Sequence, residues 1–206
     1  MKNNISVIVF DLGNVLIPFD YNRIISKMNK IDAGLGDRFA KLYYDNYDVH
    51  RKYEKWELSD VEFLEIMMTW TEHKISEEDF KFIYSELFVE NKETTSLLPI
   101  LKKHYKLVLL SNTNYIHQKY GWEKYDFLKH FDKLILSHEV GAIKPEEKIY
   151  RAVEHFTNEP SAQHIFIDDI SDYVEGAKKL SWSGIQFKSH EQLVSDLKTF
   201  NIKLDD

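Results

Sequence analysis

Four groups of polar residues in this chain stand where apolar runs stop. Val7-Ile8-Val9-Phe10 runs into Asp11, followed by Leu12-Gly13. Leu107-Val108-Leu109-Leu110 runs into Ser111-Asn112-Thr113-Asn114. The run at 133–137 leads, after a short loop, to Lys144-Pro145, and Ile165-Phe166-Ile167 ends in Asp168-Asp169. A carboxylate can act as a nucleophile. A hydroxyl with neighbouring amides can cradle an oxyanion, and a lysine offers a compact positive charge. Further carboxylates suit a hard cation such as Mg²⁺, which prefers oxygen ligands. Taken singly, each group has a plain structural explanation, because Asp, Ser and Asn cap turns and helices and a lone lysine is usually solvated. Taken together they have the composition that a phosphate ester and a divalent cation require.

The elements that must position them are readable from hydrophobic pattern. Residues 5–10 are mostly β-branched or aromatic and carry no charge, as expected of a strand buried on both faces of a parallel sheet. After Asn91, strand and helix alternate. The pattern predicts helices over 94–104, 146–157, 172–180 and 191–200, with Pro145 at the first turn of the second. Strands are expected over 106–110, 133–137, 164–167 and 184–187, and 115–130 reads as helical or irregular. Such alternation predicts an α/β fold: a Rossmann-like parallel sheet core flanked by helices, with right-handed crossovers. The strand ends then converge on the edge where open α/β sheets bind ligands. Gly13 allows a sharp turn that lets its carbonyl face the same place as the Asp11 side chain.

Between about Tyr21 and Phe88 the texture changes. Apolar residues recur at helical spacing (Val61, Leu64, Met68; Phe80, Ile83, Tyr84, Leu87), and no strand candidate is present. Ser59 with Glu62, and Ser76 with Asp79, read as capping boxes. Residues 31–37, with two glycines, read as a loop. The expected organisation is a core of residues 1–18 and 91–206 and an all-helical insert of about four helices at 19–90.

Bulk composition narrows the function classes. With 27 basic and 34 acidic residues the net charge is −7, which argues against a general nucleic-acid surface. Positive potential for an anionic substrate must then be supplied locally. No cysteine is present, so thiolate chemistry and disulfides are excluded, in keeping with a cytoplasmic protein. No apolar segment approaches a membrane span, and the N-terminus reads straight into a strand with no leader. Oligomeric state is not legible.

The order of these motifs resembles the haloacid dehalogenase-like hydrolase superfamily, and within it a bacterial branch of sugar phosphatases that includes glucose-1-phosphate phosphatases. The resemblance rests on Phe-Asp-Leu-Gly-Asn-Val at 10–15, Leu-Ser-Asn-Thr-Asn at 110–114, and Asp168-Asp169 with Glu-Gly-Ala at 175–177. It implies a Mg²⁺-dependent phosphatase acting on a small phosphorylated metabolite through an aspartyl-phosphate at Asp11. It further implies Mg²⁺ ligands at Asp11, the Gly13 carbonyl and Asp169, with Asp168 acting through water or positioning its neighbour. Ser111 and the Asn112 amide would bind phosphate, and Lys144 would pair with Asp11 and the phosphate. The insert would be a cap over the site.

Two positions depart from the resembled pattern. Most phosphatases of this superfamily have a second aspartate, a general acid, where this chain has Gly13, although the sugar-phosphatase branch shares the glycine. Asp20, His50 and His73 are conceivable substitute donors. Tyr173 stands where that branch often has Asn. Two other readings compete: a 2-haloacid dehalogenase, which needs no metal, and a non-catalytic protein that keeps phosphate and metal affinity. Specificity is expected from the insert, whose aromatic residues (Tyr43, Tyr44, Tyr47 and Trp56 among them) cannot be assigned to pocket or core by spacing.

Overall fold

In a computed structural model, which describes residues 5–205, the run Val7–Phe10 forms β1 at the centre of a five-stranded sheet, with every residue fully buried. The chain then leaves the sheet for five helices: α1 (Asn22–Ile31), α2 (Leu35–Asp45), α3 (Tyr47–Glu54), α4 (Asp60–Trp70) and α5 (Glu77–Ser85). It returns through α6 (Lys92–Thr95) and α7 (Leu98–Leu101) to β2 (Lys106–Ser111). A wide π turn at His117–Trp122 and a tight 3-10 turn at Asp126–His130 lead to β3 (Lys133–Leu136), α8 (Ser137–Val140) and α9 (Glu147–Thr157). The chain ends through β4 (His164–Asp168), α10 (Ser171–Lys179), β5 (Ser183–Gln186) and α11 (His190–Thr199).

All strand pairs are parallel, in the order β3-β2-β1-β4-β5. The predicted α/β, Rossmann-like sheet core is therefore present. The chain fills one side of β1 with β2 and β3, then crosses to the other side for β4 and β5. The crevice past the end of β1 is thus the topological switch point, where open α/β sheets take ligands.

Alternate residues of the strands face opposite sides, and each side has its own core. Ile8, Phe10, Leu107, Leu109, Ile165 and Ile167 pack on one face. Val7, Val9, Val108, Leu110 and Phe166 pack on the other, under Ile149 and Val153 of α9 and Ala177 of α10. The five helices after β1 build a third cluster around Met28, Phe39, Phe63, Met67, Phe80 and Tyr84. The two chain passages that join this cluster to the sheet run side by side. Phe19 and Phe88 pair in an antiparallel bridge, Val89 N–H donates to the Pro18 carbonyl at 2.9 Å, and Asp20 N–H to the Leu87 carbonyl at 3.2 Å.

Several boundaries differ from the sequence reading for local reasons. The insert has five helices rather than about four, and the expected loop at 31–37 is shorter than read: α2 begins at Leu35 and takes in both Gly36 and Asp37. The helix expected over 94–104 is split in two, and Pro99, which lacks an N–H, falls at the start of the second piece. β3 stops at Leu136 because Ser137 turns away to bond Thr113. The Glu146 N–H is taken by the Ile143 carbonyl at 2.8 Å, so α9 starts at Glu147 and Pro145 lies before its cap. Both predicted capping serines do cap, and Ser59 with Glu62 forms the full reciprocal box. Among the described residues no helix is long and apolar enough to cross a membrane.

Gly36 is where α1 and α2 meet backbone to backbone. A Cβ there would lie 2.2 Å from the Ile25 carbonyl oxygen. In a free helix, Gly→Ala would gain about 1 kcal/mol. Here the two helices must separate, and Gly36→Ala is expected to lower stability by about 1–3 kcal/mol, read from the urea denaturation midpoint. A midpoint shifted upward would contradict this packing.

Candidate active site

The Lys144 ammonium is the centre of the constellation. It is 1 % exposed, and its Nζ donates to Asp11 Oδ1 at 2.6 Å and to Asp168 Oδ2 at 2.6 Å. The rings of Tyr173 and Phe166 lie 5.1 and 5.4 Å from it, within cation–π range. Burial works against its charge, but the two carboxylates outweigh burial and hold its pKa above the ordinary lysine range. An ammonium has three protons, so one remains for a further acceptor. The loop carrying Lys144 is pinned by Asn112, whose Oδ1 accepts from Lys144 N–H at 2.7 Å while its Nδ2 donates to the Lys144 carbonyl at 3.3 Å.

Asp168, the last residue of β4, lies behind this lysine. It is fully buried, and its other oxygen accepts from Ile170 N–H at 2.8 Å. Asp169 faces the crevice, with Asn14 Nδ2 donating to its Oδ2 at 3.0 Å. The three carboxylates of Asp11, Asp168 and Asp169 each place an oxygen within 4.8 Å of the others. One ammonium is shared between Asp11 and Asp168, so full ionisation of all three carboxyls would leave negative charge in excess. Burial pushes the Asp11 carboxyl up to about 8, with Lys144 opposing and Asp168 assisting. Burial likewise raises Asp169, against the Asn14 bond. Hard oxygen donors with excess charge are what Mg²⁺ selects, and the residues present fit such an ion.

Asp11, Gly13, Ser111, Asn112, Lys144 and Asp169 all line one cavity of about 130 Å³, whereas Asp168 does not. Among the described residues the Ser111 hydroxyl has only a long 3.4 Å contact to the Asn112 carbonyl and is in effect available. The Asn112 side chain is spent on the Lys144 peptide, a use that a motif cannot reveal. The Gly13 carbonyl accepts from Val15 N–H at 2.6 Å, and a carbonyl oxygen keeps a second lone pair. A Cβ on Gly13 would meet the Phe19 ring at 3.1 Å, so Phe19 fills much of the space a side chain would need.

The five-helix insert supplies the opposite wall. Three neighbours on α3 matter: His50, Arg51 and Glu54. Glu54 is buried, with its Oε1 3.2 Å from His50 Nε2 and its Oε2 2.9 Å from Arg51 Nη1. Arg51 also donates to the Lys144 carbonyl at 3.3 Å, which ties insert to core. Of the conceivable proton donors, His50 lines the cavity, but its Nδ1 faces the Tyr43 and Tyr84 hydroxyls at 2.7 and 2.9 Å, so both ring nitrogens are engaged. His73 is exposed away from the cavity, and Asp20 accepts from Asn22 N–H at the start of α1. Of the aromatics, Tyr47 lines the cavity, Tyr43 lies in the helical core, and Tyr44 and Trp56 are exposed. Arg51, Glu54, Asn14 and His117 were not singled out as site residues from sequence. The spacing of His50, Arg51 and Glu54 at i, i+1 and i+4 was the available signal, but it is indistinguishable from a solvated helix face.

Residues 5–180 match the haloacid dehalogenase-like hydrolases, and the chain belongs to this hydrolase family. It is 26 % identical over 188 residues to a D-ribitol-5-phosphate phosphatase of Bacteroides thetaiotaomicron, covering 87 % of this chain and 90 % of the relative. A solved family enzyme from the same organism, in complex with magnesium and inorganic phosphate, superposes with a TM-score of 0.78 at 28 % identity, over 89 % of this chain and 94 % of that one. A hydrolase of the same fold from Porphyromonas gingivalis superposes with a TM-score of 0.77 at 22 % identity, covering 95 % and 98 %.

The raised carboxyls set a pH dependence. Between the ordinary Asp value of 3.8 and about 8 the folded, metal-free protein holds a proton at Asp11 that the unfolded chain has lost. Stability falls with pH wherever the folded state binds more protons. Metal-free protein is therefore expected to lose stability from pH 4 to 8 at this site, and Asp11→Asn to flatten that slope. Chemical denaturation across this range, in EDTA, tests it; an identical slope in the variant would contradict it.

Proposed function

We propose that the protein is a Mg²⁺-dependent phosphatase for a small phosphorylated metabolite, a sugar or polyol phosphate, acting through an aspartyl-phosphate on Asp11. The observation that carries this reading is the orientation of Asp11. One oxygen is held by Lys144, and among the described residues no hydrogen bond engages the other, in a cavity shared with Ser111 and Asp169. The relative named as a D-ribitol-5-phosphate phosphatase supports the substrate class, and the magnesium and phosphate complex of the related enzyme supports the cofactor.

In this reading Asp11 Oδ2 attacks phosphorus, the P–O bond to the metabolite breaks, and the departing oxygen takes a proton from water. Water then attacks the phosphoryl group, releasing phosphate and restoring the carboxylate. Splitting one displacement into two is the purpose of covalent catalysis. Lys144 orients Asp11 and offers its third proton to a phosphoryl oxygen, and Ser111 donates to another. A Mg²⁺ held by Asp11, Asp169 and the Gly13 carbonyl would offset the repulsion between carboxylate and phosphate. Asp168 fixes Lys144 rather than touching substrate. Residues 19–90 act as the cap that closes the cavity and excludes water. With Gly13 supplying no acid, leaving groups of low basicity are favoured.

Phosphate release from D-ribitol 5-phosphate, α-D-glucose 1-phosphate and p-nitrophenyl phosphate, with Mg²⁺ and with EDTA, tests the reading. Turnover is expected with Mg²⁺ only, and Asp11→Asn is expected to remove it by several orders of magnitude. No phosphate release from any of the three would overturn it. Release of halide from a 2-haloacid, independent of Mg²⁺, would put a dehalogenase in its place. Asp169→Asn is expected to weaken Mg²⁺ binding in calorimetry more than Asp168→Asn, since Asp168 is committed to Lys144; the reverse ranking would exchange their roles.

A further inference from the structure

Lys144 lies on the loop between α8 and α9, outside the sheet, so strand pairing does not fix its peptide. Asn112 holds that peptide from the core, through its Oδ1 and Nδ2. The insert holds it from the opposite side. A carbonyl oxygen has two lone pairs, and on Lys144 the second donor is Arg51 Nη2 at 3.3 Å. Just past the end of α3, Lys55 Nζ lies 3.2 Å from Glu146 Oε1. α3 and its end therefore meet this loop at Lys144 and again two residues further on. The second ion pair is partly exposed and adds register more than energy.

The Arg51 guanidinium is itself held. Its Nη1 lies 2.9 Å from Glu54 Oε2, and the other Glu54 oxygen lies 3.2 Å from His50 Nε2. Glu54 and His50 are both buried, and His50 rests in turn on the Tyr43 and Tyr84 hydroxyls, so the anchor is built into the packing of the insert. Burial works against the Arg51 charge, but Glu54, helped by Tyr173 and Tyr47, outweighs burial and holds its pKa above the ordinary arginine range. The Tyr173 side chain that favours this charge also places its ring 5.1 Å from the Lys144 ammonium. A planar fork of donors can serve a carboxylate and a carbonyl at once in fixed geometry, which a lysine's point charge does not. A bond serving stability alone could fall anywhere along the contact between insert and sheet. This one falls on the peptide of the residue whose Nζ must reach Asp11 Oδ1.

We propose that Arg51 is a positioning residue for Lys144: anchored by Glu54, it fixes the Lys144 carbonyl from the insert, so that the ammonium meets Asp11 and the phosphoryl group in register. The inference rests on the phosphatase reading of the same cavity. It makes α3 part of the apparatus for phosphoryl transfer, and not only a wall beside the leaving group. Lys144 serves the phosphoryl group, which all substrates share, so the contribution of Arg51 does not depend on the leaving group.

Arg51→Met removes the donors and keeps an unbranched side chain. Steady-state kinetics with Mg²⁺ on p-nitrophenyl phosphate, D-ribitol 5-phosphate and α-D-glucose 1-phosphate compare it with wild type, per mole of protein shown to be folded by circular dichroism. kcat and kcat/KM are expected to fall together by about 10- to 100-fold, since a misplacement of about 1 Å can cost that much. KM is expected to move by less than about threefold, as when an interaction that acts only in the transition state is lost. The fall is expected to be the same, within about threefold, on every substrate that the wild type turns over. A raised KM at unchanged kcat would mean that Arg51 binds substrate, and a loss confined to one substrate would mean contact with its leaving group; either result overturns the inference. So does an unchanged kcat in folded Arg51→Met whose urea midpoint has dropped, the mark of a merely structural role, and the phosphatase reading would then stand. A wild type inactive on all three substrates would remove that reading and the inference with it. Should Arg51→Met not fold, Glu54→Gln keeps the guanidinium but removes its ionic anchor. It is expected to lower kcat in the same manner by at least about threefold, and an unchanged kcat there overturns the inference as well.

Discussion

A buried ammonium shared by two buried carboxylates is the constraint on which the rest of the structure depends. An unpaired charge in a protein interior is expensive, so Lys144, Asp11 and Asp168 have to meet. They come from the end of β1, the end of β4 and the loop before α9, separated by as many as 133 residues in the chain. A parallel sheet with β1 beside β4 brings the two aspartates to one edge, and Asn112 at the end of β2 holds the Lys144 peptide from the other side. The aromatic rings of Phe166 and Tyr173 complete the shell. The same arrangement leaves the site over-supplied with negative charge. Burial, with Asp168 assisting, raises Asp11 in the metal-free protein, and the cluster of carboxylates makes the edge receptive to a divalent cation.

The five-helix insert repeats the logic on the other side of the cavity with opposite bias. There one buried carboxylate, Glu54, is served by Arg51 and His50, and Arg51 reaches across to the Lys144 carbonyl. The two charged clusters therefore share a mechanical link. Insert and sheet each have an apolar cluster, and besides the paired neck at Phe19 and Phe88 they share direct packing: Ile116, from after β2, lies in the insert's cluster, and Ser85 Oγ donates to its carbonyl at 3.1 Å.

The sheet and the groups at its edge were legible because a strand buried on both faces is an uninterrupted apolar run. Its end is announced by the first polar residue: Asp11, Ser111 and Asp168 are such residues. Helix starts were legible where a side chain caps them, as at Ser59 and Ser76. What could not be read depends on contacts between distant segments. The α1–α2 loop looked long because Gly36 suggested a turn, when it is a packing glycine set against Ile25. The backbone amide of Asn112 was expected at the phosphate, and only the fold reveals the separate task of its side chain, which holds the Lys144 peptide. Glu54 and Arg51 sit on a helix whose charge pattern is that of a solvated face. Sequence order does, however, mark Gly13 as unusual, and the fold adds that Phe19 has taken much of the space beside it.

The central claim is that the Lys144 charge exists to pair Asp11 and Asp168, and the most direct test is the stability of Lys144→Met alone and combined with Asp11→Asn and Asp168→Asn, by urea denaturation in EDTA. Removing one partner of a buried charged set costs about 3–5 kcal/mol, whereas replacing the whole set by neutral groups is often near neutral. The account predicts that the single variant is severely destabilised and that the two added substitutions recover most of the loss. Equal or greater destabilisation in the triple variant would contradict it, because the three side chains would then contribute independently of their charge.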